Sequence, residues 1–189
     1  MAEMESSICT CWPGSTVWLT GLPSSGKTTI ARAVAERLRG LARRVEVLDG
    51  DEIRAVLLPG TGFGREDRDA RVRRIGLMAE VLARNGVTVL VPVIAPFADS
   101  RAAVRERHAA AGTEFLEVHV ATPVELCAER DVKGLYAKQA AGEISGLTGV
   151  DDPYEAPAAP ELRLQTHTMT VDQCVDALVA LLAERGLAA

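Results

Sequence analysis

Short runs of apolar, β-branched residues alternate along the chain with longer segments whose apolar positions recur at helical spacing. That alternation predicts an α/β fold: a five-stranded, mostly parallel sheet with helices on both faces. The expected strands are 17–20, 45–48, 87–93, 115–120 and 162–164. Ile30, Val34, Leu38 and Leu41 form one helical stripe. Val72, Ile75, Ala79 and Leu82 form another, ending at Asn85-Gly86, a pair suited to a left-handed cap. Thr122-Pro123-Val124-Glu125 and Thr170-Val171-Asp172-Gln173 both fit a capping box, the first with proline at the first helical position. These features are structural and carry no chemistry. The stretch 133–160 differs, because it holds Gly, Asp and Pro without helical or strand period. Inside a compact domain such a stretch is better read as a lid loop than as a linker.

Composition narrows the picture. With 189 residues, 48% of them hydrophobic, the chain can close one substantial core. The expected organisation is a flexible N-terminus, 1–13, followed by one domain, 14–189. The net charge of −5 argues against a nucleic-acid-coating protein, which needs many cations to neutralise phosphates. An anionic substrate must therefore meet a local basic cluster. Cys9, Cys11, Cys127 and Cys174 have neither zinc-ligand spacing nor the density of a disulfide-stapled domain, so reduced thiols are expected. Cys9 and Cys11 read as part of a mobile, thiol-bearing N-terminus in preference to a metal site. The acidic start and the absence of a long apolar run predict no signal peptide, no membrane span and a cytoplasmic protein.

The chemistry begins at Gly21-Leu22-Pro23-Ser24-Ser25-Gly26-Lys27-Thr28-Thr29, which follows a predicted strand and opens a predicted helix. G-x-x-x-x-G-K-[ST] in that setting is a phosphate-binding P-loop. Its backbone N–H groups and the helix N-terminus surround phosphate, Lys27 reaches the β and γ oxygens of ATP, and the Thr28 hydroxyl ligates Mg²⁺. Doubly wound sheets bind ligands at strand ends, which draws attention to Asp49-Gly50-Asp51-Glu52-Ile53-Arg54 after the second strand. A carboxylate there can orient Mg²⁺ through water, as Asp49 would, or take the proton of an attacking hydroxyl. Arg54 can grip an anion with two hydrogen bonds. The chain has no Asn-Lys-x-Asp guanine-reading motif, which weighs against a GTPase switch.

P-loop, Asp49-Gly-Asp51-x-x-Arg54 and Gly62-Phe63-Gly64-Arg65-Glu66-Asp67-Arg68 together resemble the adenylylsulfate kinase family. So do Ile94-Ala95-Pro96-Phe97 with Arg101, Glu129-Arg130-Asp131-Val132-Lys133-Gly134-Leu135-Tyr136, the run 146–157 and Pro160-Glu161-Leu162. The likeness covers roughly residues 14–183. It implies a P-loop NTPase fold with a mobile lid, and transfer of the ATP γ-phosphoryl to the 3′-hydroxyl of adenosine 5′-phosphosulfate. It further implies Asp51 as the base, Arg54 and Arg68 on the phosphosulfate, Phe63 stacked on the adenine, and Lys133 approaching from the lid. Arg130 and Asp131 would lie by ATP at the lid hinge. Ile94, Gly146 and Leu147 would complete the acceptor site. A homodimer and association with an ATP sulfurylase are also implied.

Three positions depart from the family pattern. Arg71 stands where Asn is common, and it shares a helical face with Arg68 and Arg74. There it either adds a cation to the acceptor site, worth about 1.5–3 kcal/mol against a charged group, or points to solvent. Ala95 replaces a serine, removing a hydroxyl that would otherwise be available as a phosphorylated intermediate; direct transfer between substrates follows. Leu147 replaces a phenylalanine, exchanging a stacking platform of about 1–3 kcal/mol for an aliphatic contact. Two other readings use the same ATP-binding residues: a small-molecule kinase with a different acceptor, and a non-catalytic ATP-binding regulatory module.

Overall fold

Strands buried on both faces need apolar residues at successive positions, and the centre of this sheet has them. The computed structural model describes residues 12–57, 62 and 64–188. Cys9, Cys11 and Phe63 lie outside the described residues. β1 (Ser15–Thr20) pairs on one side with β3 (Thr88–Pro92) and on the other with β4 (Glu114–Val120). β2 (Val45–Val47) and β5 (Leu162–Leu164) complete the order β2-β3-β1-β4-β5. All four pairings are parallel, so the sheet is fully rather than mostly parallel.

Alternation along each strand sorts residues into two cores. Val17, Leu19 and Leu90 join one apolar cluster with Ile30, Val34 and Leu38 of α1 (Lys27–Gly40) and Val175, Leu178 and Leu182 of α7 (Val171–Glu184). Trp18, Val89 and Val91 point the other way, into Val72, Ile75 and Ala79 of α3 (Arg65–Ala83) and Val104 of α4 (Ala98–Ala110). α3 and α4 touch closely at Gly76, where an added Cβ would lie 2.6 Å from a Val104 methyl. Among the described residues no helix is long and apolar enough to cross a membrane.

Several local expectations need correcting. Leu41 is the C-cap of α1 and is 47% exposed, so the buried stripe ends at Leu38. The capping box at Thr170 is present in full, with Thr170 and Gln173 bonding reciprocally. Thr122 does not make one. α5 (Val124–Arg130) is capped from Pro123, and the Thr122 hydroxyl instead donates to the Ser25 carbonyl at 3.1 Å. The segment 133–160 contains a short helix, α6 (Leu135–Ala140). Asp51 and Arg54 sit on α2 (Gly50–Leu57).

Candidate active site

The turn from β1 into α1 is held from inside. Gly26 adopts φ +103, a conformation other residues rarely take, and the Ser25 side chain is fully buried. The Ser25 carbonyl accepts hydrogen bonds from Thr122 Oγ1 at 3.1 Å and Thr166 Oγ1 at 2.8 Å. Lys27 folds back over the turn and donates to the Leu22 carbonyl at 2.6 Å and to Ser25 Oγ at 3.3 Å. Burial lowers its pKa from 10.5 to about 8, with Lys133 pushing the same way and Asp51 and Asp49 pulling it back. Thr28 Oγ1 donates to Asp49 Oδ2 at 3.1 Å. The other oxygen of Asp49 accepts from the Asp51 backbone N–H at 3.0 Å. One residue thus both opens α2 with an Asx bend and sets a carboxylate beside the P-loop.

A single cavity of about 680 Å³ runs from this turn across the ends of β1 and β3. Pro23, Ser24, Gly26, Lys27, Thr28 and Thr29 form its P-loop end. Asp51, Arg54, Arg68, Arg71, Ile94 and Ala95 lie on the far wall, with Lys133, Gly146 and Leu147 from the lid and Arg130 at its hinge. Gly21, Leu22, Ser25 and Asp49 support the wall from behind and do not line it. Of the sequence-derived candidates, only Phe63 falls outside the described residues.

The arginines are used in different ways. Arg68 is buried and pairs with Asp152 at 2.8 Å, donates to the Gly146 carbonyl at 2.6 Å and bonds Thr148 Oγ1. It ties α3 to the lid as well as facing the cavity. Arg71 is half-buried, so it does not simply point to solvent, and its Nη2 donates to the Gly62 carbonyl at 2.9 Å. Burial, then the guanidinium groups of Arg54 and Arg68, press its pKa down. Arg130 donates to the Thr166 hydroxyl and carbonyl, each at 2.9 Å.

The lid starts with two left-handed residues, Asp131 (φ 22) and Gly134 (φ 66). Asp131 carboxylate oxygens accept from the Tyr136 and Ala137 N–H groups at 3.1 and 3.0 Å, capping α6. Lys133 reaches back to an ion pair with Asp51, both side chains being largely exposed. Leu147 packs with Cys127, Tyr136 and Leu22 in a small apolar cluster that seats the lid on the P-loop.

Sequence reasoning missed Thr166, because a lone threonine after β5 has no motif to announce it. It also missed the bonding of the 93–97 turn. There Ala95 takes φ +43, a strained conformation for alanine costing on the order of 1–3 kcal/mol. His119, nearby, has its pKa lowered to about 4, by burial first and then by Arg163 and Arg101. It is therefore neutral near pH 7 and poorly matched to proton donation. Burial also raises the Cys127 and Cys174 thiols, which are free and buried.

The geometry is that of a phosphoryl-transfer site, and comparison with known proteins decides which. Residues 13–165 match the family model described as adenylylsulphate kinase. The chain belongs to the adenylylsulfate kinase family. It is an enzyme, a phosphotransferase with adenylyl-sulfate kinase activity. An adenylyl-sulfate kinase of Picosynechococcus is 47% identical over 173 residues, covering 92% of this chain and 96% of that one. An adenylyl-sulfate kinase of Chloroflexus aurantiacus is 49% identical over 177 residues, covering 94% and 93%. The solved structure of the Mycobacterium tuberculosis APS kinase CysC in complex with AMPPNP and APS superposes with a TM-score of 0.88 at 44% identity, covering 90% of this chain and 98% of that one. The ATP-using, sulfate-assimilating class of kinase is thereby fixed for this chain.

Proposed function

We propose that the kinase transfers the γ-phosphoryl of ATP directly to the 3′-hydroxyl of adenosine 5′-phosphosulfate, giving 3′-phosphoadenosine 5′-phosphosulfate. The observation that carries this reading is the continuous cavity, with a P-loop at one end and Asp51, Arg54, Arg68 and Arg71 at the other. Two anionic substrates fit end to end in such a site, and phosphoryl transfer depends mainly on alignment and charge neutralisation.

In this reading the P-loop amides and Lys27 hold the β- and γ-phosphates, and Arg130 lies along the nucleotide at the lid hinge. The acceptor oxygen attacks the γ-phosphorus, the bond to the β-phosphate oxygen breaks, and ADP leaves. The acceptor proton passes to Asp51, which must first loosen its ion pair with Lys133. Arg54, Arg68 and Arg71 neutralise the phosphosulfate. Ile94, Ala95, Gly146 and Leu147 enclose the rest of the acceptor; the resemblance assigns its adenine to Phe63, which lies outside the described residues. Ala95 and its neighbours offer no side-chain nucleophile, in keeping with direct transfer.

Thr28 and Asp49 fit Mg²⁺, since they place a hydroxyl and a carboxylate side by side at the phosphate end. Among the described residues no cluster of three or more acidic, His or Cys side chains could hold a metal, which suits an ion bound chiefly by phosphate and water. Mg²⁺ would supply charge neutralisation of the phosphates; Asp49 would orient it, directly or through water. The sequence adds to this reading one catalytic domain over 14–189 in a cytoplasmic protein, and the resemblance adds a homodimer and association with an ATP sulfurylase. Sedimentation of the chain, alone and mixed with that enzyme, tests the last two.

The activity test uses γ-labelled ATP and Mg²⁺ with adenosine 5′-phosphosulfate, its 3′-deoxy analogue and other small hydroxyl acceptors. Label appearing on the 3′-oxygen of adenosine 5′-phosphosulfate alone is expected. Faster labelling of another acceptor sinks the assignment, and ATP binding without any turnover would point to a regulatory module.

A further inference from the structure

We infer that Arg101 is a positioning residue for the acceptor half of the reaction, clamping the 93–97 turn to the far end of the lid. The inference rests on the acceptor reading above. Arg101 is only 3% exposed and does not line the cavity, so it acts through the groups it holds. Its three nitrogens go to three different segments. Nε donates to Glu117 Oε1 of β4 at 2.6 Å, Nη1 to the Ala95 carbonyl at 2.8 Å, and Nη2 to the Glu155 carbonyl at 2.7 Å.

The turn that Arg101 grips is a wall of the cavity, to which Ile94, Ala95 and Pro96 all contribute. Three successive carbonyls in it are each held by a different partner. Thr20 Oγ1 donates to Ile94 at 2.6 Å, Arg101 to Ala95, and the Glu155 N–H to Pro96 at 2.8 Å. The Glu155 carboxylate also accepts from the Ala98 N–H at 2.7 Å, where α4 begins. Glu155 is thus stitched to the turn through its backbone and its side chain, and Arg101 closes the loop between them. The positive φ of the Ala95 backbone needs such over-determination, because an unrestrained alanine would relax away from it.

Behind the clamp lies an ionic row. Glu117 also faces Arg105 at 3.6 Å, and Arg105 forms a paired contact with Glu161 at 2.7 and 2.8 Å. A planar guanidinium can serve three acceptors in fixed directions, whereas an ammonium on a flexible stem cannot. A buried ion pair alone would be weak evidence for anything but its own desolvation cost. The two carbonyls, one on the acceptor wall and one on the lid, give Arg101 its reach into the site.

Arg101→Lys retains the charge beside Glu117 and removes the fork. Arg101→Met combined with Glu117→Gln removes the fork without stranding a carboxylate, and so guards against simple misfolding. In both, the expected result is an acceptor KM raised about tenfold and a several-fold lower kcat, with the KM for ATP unchanged. Hydrogen exchange at the Glu155 and Ala98 amides should quicken while the P-loop amides stay as they were. Wild-type acceptor kinetics in both variants, or equal increases in both KM values, would overturn the inference. The wild-type rate, measured alongside, separates two failures. An inert wild type sinks the acceptor reading, and the clamp then stands or falls on the exchange of those two amides.

Discussion

At the P-loop end of the cavity, Pro23, Ser24, Gly26, Lys27, Thr28 and Thr29 of one contiguous loop line most of the wall. At the acceptor end, the wall is assembled from α2, α3, the 93–97 turn and the lid, segments separated by up to about a hundred residues. The first end is mostly buried, with Lys27 bonded to its own loop and the Ser25 carbonyl held by Thr122 and Thr166. The second depends on arginines that bridge distant segments and on an exposed Asp51–Lys133 pair. In the proposed reading, ATP binds one contiguous loop while the acceptor meets a wall gathered from distant segments. This division also separates the consequences of mutation: damage at the phosphate end should affect both substrates, and damage at the acceptor end only one.

The largest expected effect is that of Lys27→Ala, which should cut kcat by about a thousandfold or more, because the transition-state charge loses the P-loop cation. Asp51→Asn should lower kcat by about a hundredfold while leaving ATP binding intact, as loss of a general base does. Steady-state kinetics with each substrate varied checks both. If Asp51→Asn weakens ATP as much as the acceptor, the two ends are not separable. Arg71→Asn comes next, with an acceptor KM raised about tenfold, the equivalent of one charged hydrogen bond at its weaker limit. Unchanged KM and kcat would reduce Arg71 to a tether for Gly62.

Smaller effects probe the phosphate end by pH. Free Lys27 titrates at about 8 against an ordinary 10.5, so the folded protein binds fewer protons than the unfolded chain between those values. Stability from this group therefore rises as pH increases from about 8 to 10.5, and Lys27→Met should flatten that part of the profile. ATP phosphates favour the charged amine, so ATP binding at pH 8.5 should take up protons from the buffer. Calorimetry in two buffers of different ionisation enthalpy measures this uptake, which Lys27→Ala should abolish. The smallest change is Thr170→Ala, which breaks the capping box of α7 and should cost about 1 kcal/mol of stability. Its acceptor KM should not move, since α7 packs with α1 on the face of the sheet opposite α3.

The same contrast explains what was legible in the sequence. A contiguous loop between a strand and a helix is a local pattern, and the P-loop could be read residue by residue. The strands were equally plain, because a sheet covered on both faces demands unbroken apolar runs. α4 was not, because its buried positions include Ser100, Arg101 and His108 in place of an apolar stripe. Thr122 was read as a cap because its neighbours fit one, yet its hydroxyl is taken by the P-loop carbonyl of Ser25. Arg68 was assigned to the acceptor alone, and only the folded chain reveals its bonds to Gly146 and Asp152 across the lid. Bonds between a side chain and a distant carbonyl leave no periodic trace.

The central claim is that both substrates meet in one cavity and react directly. Transfer from ATP made chiral at the γ-phosphorus, followed by configurational analysis of the 3′-phosphate, tests it most plainly. One in-line displacement predicts inversion at phosphorus. Retention would mean two displacements through a phosphorylated enzyme and would contradict the account.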